Sequence, residues 1–124
     1  MQILKVEPGK TPYIKEMEPG LKNIQQEVGG LFEMVYLEDN VALCCNEEGK
    51  LNGMQMNRRV GDDIICGPFF IVGLEPDEGE FCSLPEDKIA QYSERFKEPE
   101  QFSDYEPDAQ PRMTFIAFRG FGDV

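Results

Sequence analysis

The chain has 124 residues, of which 24 are acidic and 12 basic, with no histidine, no tryptophan and a net charge of −12 at pH 7. That length suits one compact core and not two ordinary domains, and 40% hydrophobic content separates it from disordered tails. A field of this sign repels nucleic acid and anionic membranes and attracts basic surfaces, while the missing histidine removes the commonest general base and every Ser-His or Cys-His nucleophile pair.

In chain order, Gln2 to Glu7 reads as a first strand ending at the turn Pro8-Gly9, and Pro12 to Glu18 as a second ending at Pro19-Gly20. The short connection predicts an antiparallel pair. Leu21, Ile24 and Val28 fall at i, i+3 and i+7, a helical stripe that Gly29-Gly30 stops. The period then changes to two. Leu31 to Leu37 and Val41 to Cys45 flank the acidic loop Glu38-Asp39-Asn40, which predicts a hairpin.

Lys50 to Val60 shows little periodicity and is expected to be a surface loop with short irregular pieces. Ile64 to Val72, broken by Gly67-Pro68, is the longest apolar run and predicts the most buried strand or pair of strands. Pro85 to Lys97 carries Ile89, Tyr92 and Phe96 at helical spacing, with Ser83 as the expected N-cap and Glu86 and Asp87 in the first turn. Glu98 to Pro111 reads as extended, and Met113 to Phe118 as a last strand. The expected architecture is α+β, a single domain with a small, mostly antiparallel sheet packed by two helices. Within it, 1–73 forms a sheet-and-helix scaffold, 74–112 an acidic helix-containing extension, and 113–124 the final strand and terminus.

Charge is not spread evenly along the chain. Residues 74 to 108 hold twelve acids against three bases, a net of −9. The candidate partner-binding residues are Glu75, Asp77, Glu78, Glu80, Glu86, Asp87, Glu94 and Tyr105. Aromatic neighbours Phe81, Tyr92, Phe96 and Phe102 are candidate anchors, although Tyr92 and Phe96 suit a helix core equally well.

Catalytic and cofactor patterns are missing. Neighbouring Cys44 and Cys45 point to opposite faces of a strand and lack zinc-ligand spacing, and all four cysteines sit in or beside apolar segments, as small buried hydrophobes do. Neither Gly-x-Gly-x-x-Gly nor Gly-x4-Gly-Lys-Ser/Thr occurs. No catalytic residue, cofactor or metal is therefore expected. Lys50, Asn57, Arg58 and Arg59 are the local basic feature. They could hold an anion such as phosphate, or pair with the acidic segment, and the internal pairing is favoured. With neither a long apolar run nor a leader pattern after Met1, a cytoplasmic protein is expected.

The stretch from Asn46 to Gly53, then Asn57-Arg58-Arg59 and Asp63 to Gly73, with Ile3 to Lys10 and the hairpin from Val28 to Leu37, resembles a domain of unknown function carried by phages and conjugative elements of Gram-positive gut bacteria. The resemblance covers about residues 1–73. It implies a mobile-element context and carries no catalytic residues.

Charge and context together favour a non-enzymatic inhibitor of a host nucleic-acid-targeting defence system, of anti-restriction or anti-CRISPR type. Such enzymes hold DNA in positively charged channels that spaced carboxylates can occupy. The expected partner is a basic protein surface, such as a CRISPR nuclease or its guide-loaded complex, with no direct nucleic-acid or membrane contact. Two alternatives are a small-ligand or phosphate module built on the basic four, and an accessory domain that self-associates through its edge strands as a homodimer.

Overall fold

Alternation along the strands determines how this chain layers. In the computed structural model, which describes residues 1–102 and the backbone of Ile116–Ala117, adjacent residues of the central strands bury against opposite partners. Strands β1 (Gln2–Val6), β2 (Tyr13–Glu16), β3 (Phe32–Glu38), β4 (Val41–Asn46), β7 (Phe69–Leu74) and β9 (Ile116–Ala117) form one antiparallel sheet in the order β2-β1-β7-β4-β3-β9. The two-residue strand β8 (Phe81–Cys82) joins the same sheet beside β7. β5 (Met56–Val60) and β6 (Asp63–Cys66) make a separate hairpin.

One face of the sheet collects Ile3, Phe32, Met34, Ala42, Cys44, Phe70 and Val72, closed by Ile24 and Val28 of helix α1 (Leu21–Val28). The other collects Leu4, Leu43, Cys45, Phe69 and Ile71, closed by Val60 and Ile65 of the β5–β6 hairpin and by Ile89, Tyr92 and Phe96 around helix α2 (Glu86–Arg95). Both faces of β4 and β7 are thus covered, which is why those strands read as continuous apolar runs. Phe69 and Phe70 are fully buried on opposite faces, each burial stabilising by about 1.5–3 kcal/mol. Cys44 and Cys45 likewise face opposite ways. Burial pushes the thiols of both well above the ordinary range.

The α+β architecture, the two helices, the N-terminal strand pair and the β3–β4 hairpin follow the expectations. Gly29 takes the left-handed conformation that stops α1, with its N–H on Gln25 O. Two local expectations are corrected. Residues 50–60 are not all surface loop, because Met56–Val60 forms β5, joined to β6 by Gly61-Asp62 with φ +64° at Gly61. A two-residue hairpin turn of the primed kind needs that positive φ. Nor does Ser83 cap α2. Pro85 occupies that position, and the Ser83 hydroxyl accepts the N–H of Gln2 instead. Of the expected last strand, Ile116–Ala117 pairs with β3, and the remainder lies outside the described residues.

The chain does not leave the core at Gly73. Leu74, Leu84 and Tyr92 are buried in it, and β8 packs so closely on β7 that a Cβ on Gly73 would lie 2.6 Å from Ser83 O. The acidic segment therefore grows directly out of the sheet.

Candidate functional site

The Glu75-to-Glu80 turn links β7 to β8, with the N–H of Glu75 donating to Glu80 O at 2.7 Å and that of Gly79 to Glu75 O at 2.9 Å. Closing its backbone bonds internally leaves the side chains of Glu75, Asp77, Glu78 and Glu80 in solvent. Two residues of strand and a short link follow, and then α2 begins with Glu86 and Asp87 exposed in its first turn. Carboxylates there favour the positive end of the helix dipole.

Antiparallel pairing brings a third acidic turn to the same place. The β3–β4 turn meets the end of β7 where Leu74 donates to Asn40 O at 2.9 Å, and it meets α2 through Glu38. The Lys88 ammonium and Tyr92 hydroxyl donate to Glu38 at 2.6 and 2.5 Å, with Gln91 at 3.4 Å. The hydrogen bonds from Lys88 and then Tyr92 hold the Glu38 carboxyl below its ordinary pKa. Burial, and then the bond to Glu38, push Tyr92 up to about 12. Between the turn and the helix start lies an open groove of 490 Å³, walled by Glu38, Asp39, Asn40, Val41, Pro85, Asp87 and Lys88.

One end of the sheet thus gathers Glu38, Asp39, Glu75, Asp77, Glu78, Glu80, Glu86 and Asp87. Against them stands Lys88, which is held by Glu38. None of the last six forms an ion pair with a described residue. The sequence alone points to those six and not to Glu38 and Asp39. Their acidic loop was visible, and only strand order shows which other turns it adjoins. Glu94 is separated from the group, about 10–12 Å farther along α2 at 1.5 Å per residue, and Tyr105 lies outside the described residues. Of the candidate anchors, Tyr92 and Phe96 are core, with rings 6.5 Å apart. Phe81 is half-buried and packs edge-on against Phe70. Phe102 is half-buried, 5.7 Å from the Arg59 guanidinium.

The basic four are not arranged around one open space. Lys50 pairs with buried Asp63. Asn57 is buried and donates its amide to Val6 O and Gly67 O, both at 2.9 Å. Arg58 is fully buried and donates to Phe96 O, Lys10 O, Asn57 O and Asn57 Oδ1 at 2.6–3.2 Å. Burial pushes its pKa below the ordinary value, against the opposing field of Glu100. Arg59, half-exposed, faces Glu100, whose carboxylate also accepts the Arg59 backbone N–H at 2.8 Å. Of the expected pairing with the acidic segment, Arg59 with Glu100 is an instance, whereas Lys50 takes Asp63, outside that segment, and Arg58 and Asn57 take carbonyl oxygens. Arg58 and Asn57 act as a polar staple joining β5, the loop after β1 and the end of α2.

Among the described residues no His, Cys, Asp and Glu side chains form a group of three or more placed to hold a metal ion. No helix among them is long and apolar enough to cross a membrane. No curated protein and no solved structure matches the chain. A family model described as a domain of unknown function, DUF3846, matches residues 1–97, through the end of α2 and past Gly73. The chain belongs to that DUF3846 family.

Proposed function

We propose that this protein is a non-enzymatic binding module whose acidic end engages a basic protein surface, and that its partner is a host nucleic-acid-targeting defence enzyme of restriction or CRISPR type. The observation that carries this reading is the gathering of eight carboxylates from three turns at one end of the sheet, seven of them exposed and without an ion-pair partner among the described residues. Nuclease channels present spaced Lys and Arg side chains to backbone phosphates, and carboxylates spaced along backbone-closed turns offer such a channel a substitute for the phosphates. The sequence resemblance to domains carried by phages and conjugative elements supports the same context, in which the protein acts in the bacterial cytoplasm. The interaction needs no cofactor.

Binding to a guide-loaded CRISPR nuclease or a restriction complex, measured by native gel and calorimetry, tests the proposal. Affinity is expected to fall steeply with added salt. Replacing Glu75, Asp77, Glu78 and Glu80 together with lysine should weaken it by at least about a hundredfold, since close charge pairs at interfaces couple by about 1.5 kcal/mol or more each. Binding indifferent to both changes would overturn the acidic-end mode. Failure to inhibit any nuclease of either type would overturn the choice of partner.

A further inference from the structure

We infer that β2 is a self-association edge, and that two copies of this chain pair through it in an antiparallel dimer about a two-fold axis at Ile14. β2 ends the main sheet, with β1 on one side and no strand on the other among the described residues. Hydrogen-bond alternation tells which backbone groups face outward. Gln2 turns its N–H to the Ser83 hydroxyl and its C=O to Leu84 N, away from β2. The facing pair Gln2 and Glu16 is therefore a non-bonded pair, and so is Leu4 with Ile14 two residues along. Ile14 and Glu16 thus present their N–H and C=O groups to the open side.

The side chains at that edge suit a second copy. Ile14 is 54% exposed and Tyr13 39%. Of the symmetric registers, the one centred on Ile14 sets Ile14 against its own copy and Tyr13 against Lys15 of the other chain. A register centred on Lys15 or Glu16 places like charges directly opposite, which destabilises a strand pair. In the Ile14 register each chain also faces Glu16 toward Pro12, whose missing N–H ends the ladder there.

Long-range charge favours the same arrangement. Residues 1–28 hold four lysines and four glutamates, so this region is neutral in a chain of net −12. A two-fold axis across β2 reverses the strand direction, which sends the two acidic ends to opposite poles and keeps their mutual repulsion small. The contact is a four-residue strand and falls below the size of a stable interface of about 1,000 Å², so the dimer is weak and reversible.

Sedimentation equilibrium on the full chain, up to about 1 mM, where an interaction of about −4 kcal/mol is half-saturated, reads this directly. The wild type should show a concentration-dependent dimer that added salt leaves intact. Ile14→Pro removes only an outward N–H, and Ile14→Lys sets two ammonium groups across the axis. Either should raise the dimer dissociation constant at least about tenfold, with circular dichroism reporting an unchanged fold. The combined lysine variant at Glu75, Asp77, Glu78 and Glu80 should dimerise at least as well as the wild type. A wild type that stays monomeric at the top concentration overturns the inference, as does a dimer that survives both Ile14 variants.

Discussion

Residues 1–28 carry four lysines and four glutamates and hold five of the eight in hydrogen bonds or ion pairs, whereas residues 75–87 carry six carboxylates and no base. In the first region Glu27 lies between Lys5 and Lys15, at 2.5 and 2.9 Å, with Lys5 and Glu27 nearly buried. Charge there ties α1 to the β1–β2 pair. In the second region the backbone closes its own bonds and the side chains are left to solvent, so folding does not depend on them. Two regions of similar polarity in the sequence thus differ in what their charge does, one binding the fold together and the other facing solvent. Arg58 belongs with the first kind, since its guanidinium is saturated by carbonyl oxygens.

Cohesive charges cannot be removed without loss of stability. Arg58→Ala takes the guanidinium donors from the buried carbonyl of Phe96 and the partly buried carbonyl of Lys10 and should cost about 4 kcal/mol in urea unfolding; a loss below about 1 kcal/mol would show that the staple does not hold these segments together. Glu27→Ala leaves the nearly buried Lys5 ammonium with the backbone carbonyl of residue 27 but no counter-charge and should cost about 3 kcal/mol.

pH sharpens the same point. Burial opposes ionisation of Glu27, but the hydrogen bonds from Lys5 and Lys15 outweigh it and leave the carboxyl below its ordinary 4.5. A group depressed in the folded state contributes stability that is present above its unfolded value and lost as pH falls through the folded one. Stability of the wild type should therefore decline below pH 4.5, and a Glu27→Gln chain should decline less over that window. Parallel pH curves would contradict the assignment.

Gly73→Ala tests whether the acidic turn is tied to the sheet. A methyl group 2.6 Å from Ser83 O must push β8 away from β7, at about 2 kcal/mol, with amide exchange quickening first at Phe81 and Cys82. At the small end, the four-lysine variant at Glu75, Asp77, Glu78 and Glu80 should move stability by less than about 0.5 kcal/mol per site. The expected sign is toward greater stability, since net charge drops from −12 to −4. A large destabilisation would place those carboxylates among the cohesive charges.

Periodicity made α1, the hairpin β3–β4 and the buried β7 legible, because apolar side chains there repeat at 3.6 or 2 residues. It failed at β5, where Asn57 and Arg58 are buried through hydrogen bonds and leave no hydrophobic pattern. It failed again at Ser83, whose hydroxyl serves a strand brought in from 81 residues away.

Local chain chemistry was enough to determine the fold class, most of the elements, the concentration of acid after Gly73 and the exposure of its turn, since these depend on side-chain type and near neighbours. Only the tertiary structure decided that the β3–β4 turn joins the acidic end, that Arg58 is internal, and that β2 is left at an edge. Those outcomes depend on strand order and on which carbonyls a folded backbone brings within reach, and neither is written in the spacing of residues along the chain.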